Sequence, residues 1–242
     1  MDYKKELAIP SLILGFCLIV SVVIFGRYLY AIRSLDNTLT VTGSARQKVV
    51  SDTGKLVGRF TRTSTVNDLK NGYKLMEGDR AKVLEFFKKQ NIGDDSISVS
   101  AVSQQEIWKQ NEYDDRPKQY NLIQTIEINS NDVAKIDNLS KNFQPIIEQN
   151  VLFAIDRVEY YYSKLPEYRI SMLGDAIKDA KARAEKIAFS SGKKVGVIKS
   201  ASAGVVQVLA PNSIDISDYG TYDTSSINKE IMVTVKALFT IK

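Results

Sequence analysis

No histidine occurs anywhere in the 242 residues of this chain. The commonest general base and the commonest transition-metal ligand are therefore both missing. Cysteine is almost as scarce: Cys17 stands alone, inside an uncharged apolar run. The rest of the chain can form neither an intrachain disulfide nor a thiolate site. Serine and threonine hydroxyls have no visible base to activate them, and the scattered glycines form no phosphate-binding loop. We therefore expect no catalytic residue, no cofactor, no metal site and no enzyme activity. Asp114 and Asp115 beside Glu112 make one short acidic cluster. It lacks the ordered ligand spacing of a calcium loop and reads as a solvated hairpin tip. A formal net charge of +5, from 33 Lys+Arg against 28 Asp+Glu, is too modest and too mixed to argue for nucleic acid.

What is present begins with a long apolar run, "LAIPSLILGFCLIVSVVIFG", from Leu7 to Gly26. At a rise of about 1.5 Å per residue, such a helix spans a hydrocarbon core of about 30 Å. Lys4 and Lys5 precede it, and "RYLYAIR" follows, with Tyr28 and Tyr30 at the expected interface. The run exceeds a usual signal-peptide core and no A-x-A cleavage site follows, which favours an uncleaved anchor over a cleaved signal. We expect residues 1–6 in the cytoplasm, a transmembrane signal anchor with its interfacial flank over 7–33, and an extracytoplasmic domain over 34–242. Flanking charges are balanced, so they orient the span only weakly.

Beyond the anchor the chain alternates between two periodicities. Leu39, Val41, Gly43 and Ala45 face away from Thr40, Thr42 and Ser44, as in a half-buried strand. The turn signal "SDTG" and the run through Leu56, Gly58 and Phe60 suggest that a hairpin completes it. A helix capped by Asn67 or Asp68 carries a stripe through Met76, Val83 and Phe87. Strands follow at 97–108 and 120–128, then a helix capped by Asn131 or Asp132 that Pro145 should end or kink. A strand at 155–163, a long helix, a strand at 195–209 and an alternating final strand through Ile231 and Phe239 complete the order ββαββαβαββ. The spacing predicts an α+β fold: an N-terminal transmembrane helix, then mixed or antiparallel sheets covered by amphipathic helices.

The longest helix is "RISMLGDAIKDAKARAEKIAFSS", bracketed by Pro166 and Gly192. Ile170, Leu173, Ile177, Ala180, Ala184 and Ile187 recur at spacings of three and four, a narrow seam of which the alanines permit close approach. Burial under its own sheet is one reading of this seam and an oligomer interface is the other. Trp108 and Tyr160 are candidate ligand contacts, set against the alternative that one face of the Tyr160–Tyr162 strand is simply core.

Three passages together resemble the SIMPL-domain family. They are "LTVTGSARQKVVSDTGKLVGRFTRTS", "QYNLIQTIEI" with "DVAKIDNL", and "DAIKDAKARAEKIAFSSGKKVGVIKS", an alanine-rich helix running into a Gly-Lys-x-x-Gly turn. The resemblance implies an α+β domain exported to the bacterial envelope, generally without an assigned activity, some of whose relatives build large homo-oligomeric rings. It transfers no site residues. The expectation is a scaffold subunit held by residues 7–33 in the bacterial inner membrane as a single-pass protein, with its C-terminal domain in the periplasm. Copies are expected to self-associate into a large homo-oligomer, a ring being one form of it, and other envelope proteins are further candidate partners. The alternative is an envelope binding module for a small ligand or a protein partner.

Overall fold

The computed structural model describes residues 3–34, 37–108 and 117–242; the acidic cluster Glu112, Asp114 and Asp115 lies outside them. In chain order the elements are α1 (Tyr3–Ser34), β1 (Thr38–Val50), β2 (Thr53–Thr65), α2 (Leu69–Lys89), β3 (Ile97–Val99), β4 (Ser103–Ile107) and β5 (Gln119–Ser130). They continue with α3 (Val133–Lys141), α4 (Gln144–Ile147), β6 (Leu152–Tyr161), α5 (Leu165–Ser190), β7 (Val195–Ala203), β8 (Gln207–Leu209) and β9 (Asn228–Ile241). The fold is α+β, and two expected strands are each broken in two, as β3 and β4 and as β7 and β8.

Helix α1 contains one stretch, Pro10–Tyr30, that is long and apolar enough to cross a membrane, with a mean hydropathy of 2.3 and none of it buried by the rest of the chain. That makes it fit to serve as a membrane anchor or a signal sequence. Pro10 lies inside the helix rather than in its first turn.

The chain forms two compact units: Met1–Ala45 with Arg169–Val205 and Val233–Lys242, and Arg46–Tyr168 with Val206–Met232. The second is the larger. Its sheet runs β3-β5-β2-β6, with β4 also paired to β5. The long antiparallel register of β2 on β5, from Gly54↔Ser130 to Thr65↔Gln119, stacks Leu56 beside Ile128 and Gly58 beside Ile126. These alternate residues face one way because side chains of a strand repeat every two residues. Helices α2, α3 and α4 bury Met76, Val83, Phe87, Ile136 and Ile146 against that face. On the opposite face charges pair across strands: Lys55 with Glu127 at 2.8 Å and Arg59 with Asp156 at 3.2 Å.

Helix ends follow local chemistry. The Asp132 carboxylate accepts from the Lys135 N–H at 2.9 Å, capping α3 as expected. Asn91, with φ of 58°, closes α2; the Ile92 N–H reaches Phe87 O and the Asn91 N–H reaches Lys88 O, a Schellman arrangement. Pro145 does not kink α3. That helix stops at Lys141, and Pro145 sits in the first turn of α4, where its missing N–H costs nothing.

In the first unit the strands run β1-β9-β7. Here the expected hairpin of β1 with β2 fails, because the two strands belong to different sheets. The "SDTG" turn redirects the chain without pairing its flanks: the Ser51 N–H donates to Ile227 O and the Asp52 N–H to Tyr161 O. Val41, Ala237 and Phe239 meet Ala180 and Ala184 of α5 in a small core.

Candidate functional site

Helix α5 approaches β1 as closely as two backbones can. A Cβ built on Gly43 would lie 2.2 Å from the Ala176 carbonyl oxygen and 2.3 Å from the Ala180 nitrogen. Only glycine fits there, and only alanines on the helix allow the approach. The next residue fastens the contact: the Ser44 N–H donates to the Asp179 carboxylate at 2.8 Å, and Arg183 Nε donates to the same oxygen at 2.8 Å. The Ser44 amide and the Arg183 guanidinium hold the Asp179 carboxyl below its usual range. Gly192, with φ of 72°, ends the helix; the Lys193 N–H reaches Ala188 O at 2.8 Å and the Gly192 N–H reaches Phe189 O at 3.0 Å.

The buried stripe of α5 is Met172, Ala176, Ala180, Ala184 and Ala188, every fourth residue. It overlaps the expected seam only at Ala180 and Ala184. Leu173 is half-buried, and Ile170, Ile177 and Ile187 are exposed on the outer surface, Ile170 to 72% and Ile187 to 50%. Phe189, on another side of the helix, is 84% exposed. The i, i+4 row is inclined to the helix axis, so a helix seated on that row turns its three-and-four-spaced isoleucines outward. Strand β7 ends the sheet order, and from Val197 to Ala203 both of its faces are exposed, Val197 to 73%.

The two candidate ligand contacts are not brought together. Trp108 follows β4 and is 85% exposed. Tyr160 belongs to the core of the second unit: its hydroxyl donates to Asp137 Oδ1 at 3.1 Å, and burial together with that carboxylate pushes its pKa up to about 12. A residue locked this way anchors α3 to β6 and offers no surface to a ligand. Among the described residues no group of three or more Cys, Asp or Glu side chains is placed to hold a metal ion.

Two buried ionic groups escaped the periodicity. Asp79 lies inward on α2, held by Arg62 of β2 through Nε and through Nη2 at 2.8 Å, while Nη2 also donates to Asn150 O at 3.0 Å. A polar residue on an apolar stripe, facing an arginine on an alternating strand, was the available signal. Lys229, fully buried at the start of β9, donates to Asp223 O and to Ser226 O, lies 3.6 Å from the Asp223 carboxylate, and sits over the Tyr222 ring. Burial pushes the Asp223 carboxyl up, but hydrogen bonds from Ser225 and Ser226 and the Lys229 charge outweigh it and hold the pKa at about 2.

That depression carries a pH dependence. The folded pKa of Asp223 lies below its ordinary 3.8, so its contribution is complete above that value and is lost as pH falls from about 4 towards 2. The contribution is at most about 2 kcal/mol. In urea unfolding from about pH 5 down to about pH 2, Asp223→Asn is expected to flatten the acid loss relative to the parent. Parallel curves for the two would contradict this.

A family model described as SIMPL, a protein of unknown function (DUF541), matches residues 39–237, a range that includes Gly43 and the alanine-striped helix. The chain belongs to the SIMPL family. No curated protein matches it. The SIMPL match starts in β1, after the α1 span, and ends within β9, so it takes in the Gly43–α5 contact, the Arg62–Asp79 pair and the Asp223–Lys229 cluster. The family description names no reaction, and the reading of function rests on this chain's own surfaces.

Proposed function

We propose that this SIMPL protein is a non-enzymatic scaffold subunit, anchored by residues 7–33 in the bacterial inner membrane as a single-pass protein, with its C-terminal domain in the periplasm. There its copies self-associate into a large homo-oligomer, closing as a ring where the contact is head-to-tail and the rotation permits. The observation that carries this reading is in the first unit. An edge strand, β7, is exposed on both faces, and Ile170, Ile187 and Phe189 are large apolar side chains left exposed on α5. Unpaired edges recruit further strands, and a strand open on both faces is free to pair. Tethering to a plane raises effective concentration, so weak contacts suffice for assembly.

The test is substitution at that surface. Val197→Lys with Phe189→Asp charges the edge strand and an exposed apolar position of α5 while leaving the Ala176–Ala188 stripe intact. Sedimentation of the full chain in mild detergent is expected to move from a multimer to a monomer on making the pair. An unchanged multimer would place the contact elsewhere and remove this support.

A further inference from the structure

On the second unit, Lys70, Tyr73, Lys74, Glu77 and Arg80 form one face of α2, since residues three and four apart share a helix face. They line a cleft of about 450 Å³ whose other lining comes from Val102 and the buried side chain of Gln124. Gln124 is fixed by its own donation to Ser100 O at 2.7 Å, and the Tyr73 hydroxyl reaches Gln104 on β4. The volume falls within the range of small-ligand sites.

The cations of α2 differ in their partners. Away from the cleft, Lys88 is paired with Asp94 at 3.0 Å and Lys89 with Glu85 at 2.8 Å, while Lys82 donates to the Gln149 carbonyl at 2.9 Å. Lys70, Lys74 and Arg80 make no ion pair among the described residues. Among the described residues these three cations face the single carboxylate of Glu77, which gives the cleft lining a positive charge, and a planar guanidinium beside two ammonium groups suits the oxygens of a phosphate.

We propose that this cleft is a binding site for a phosphate-bearing anion, held by Lys70, Lys74 and Arg80 and weakened by Glu77. The site is independent of self-association. Soluble phosphoryl compounds and lipid headgroups share this chemistry, and the test separates them.

The experiment is calorimetric titration of the full chain, held in discs of zwitterionic phosphatidylcholine, with inorganic pyrophosphate. Saturable binding is expected. Lys74→Gln or Arg80→Gln should each weaken it about tenfold through loss of a charge-assisted hydrogen bond. Glu77→Gln should tighten it several-fold, a gain that no misfolded variant would produce. Lys88→Gln, which touches a compensated cation, should leave it unchanged. Repetition in discs containing anionic phosphatidylglycerol assigns the source: weaker pyrophosphate binding there means that headgroups occupy the cleft, and unchanged binding means a soluble ligand. Absence of saturable binding up to about 10 mM, or equal weakening by Lys88→Gln, would overturn the proposal, the latter because it reflects general charge.

Discussion

Replacing Gly43 with alanine is expected to cost at least about 3 kcal/mol of stability, the upper range for overpacking a closed interface. The added carbon would sit 2.2 Å from the Ala176 carbonyl oxygen and 2.7 Å from Ala180 Cα, and both neighbours are backbone that no rotamer change can clear. Helix α5 would have to lift off β1, pulling the Asp179 carboxylate from the Ser44 N–H and opening the core around Val41 and Phe239. Gly174, only four residues before Lys178 on the same helix, supplies the control. Nothing lies within 4 Å of a Cβ placed there, so Gly174→Ala should stabilise the helix by about 0.5–1 kcal/mol. Urea unfolding of the full chain in mild detergent reads both. A Gly43→Ala variant within about 0.5 kcal/mol of the parent would contradict the closeness of the packing.

The second large effect lies at the Arg62–Asp79 pair. Arg62→Met alone leaves the Asp79 carboxylate, whose side chain is 2% exposed, buried without its cation. The expected cost is about 3–5 kcal/mol, most of it the penalty of an uncompensated charge rather than the worth of the pair itself. The double variant Arg62→Met, Asp79→Leu removes both charges and keeps apolar volume beside Met76 and Val83. It should therefore recover most of that loss. Asn150 loses an acceptor's partner in either case, since Arg62 Nη2 donates to its carbonyl, so recovery is expected to stop short of the parent. Additive losses in the double-mutant cycle would show that the two side chains contribute independently.

Much of the architecture could be read from periodicity. The alternation of Ile231, Val233, Val235, Ala237 and Phe239 places all five in the interior, and Leu122, Ile126 and Ile128 likewise share the buried face of β5. The long helix was bounded correctly by Pro166 and Gly192 because proline suits a first turn and glycine a left-handed stop. Its inward face was harder to read. Weighing positions by hydrophobicity selects Ile170, Ile177 and Ile187, whereas the interface selects by size: beneath α5 lies the bare backbone at Gly43, and only alanine at 176 and 180 lets the helix descend. The information was in the sequence, divided between a strand glycine and a helix well over a hundred residues away.

Pairing partners were less legible than strands. A turn signal such as "SDTG" states that the chain bends, while the partner of β1 is settled by β9 at the other end of the chain. Asp79 was hidden for a related reason. A carboxylate on an apolar stripe looks like an interruption until Arg62 is found opposite it. Of the two candidate ligand contacts, Tyr160 alternates inward and is satisfied by Asp137, while Trp108 is exposed. The basic cleft on α2 carried no motif, because it depends on which lysines the fold leaves without a carboxylate.

Single-particle mass measurement of the intact protein, extracted in mild detergent at micromolar concentration, bears most directly on a tethered, self-associating SIMPL domain. Particles whose protein mass is a discrete multiple of 27.1 kDa, well above a dimer and uniform in shape, are expected. A population made up only of single 27.1 kDa chains would contradict assembly. A polypeptide lacking its first 33 residues would contradict the anchor.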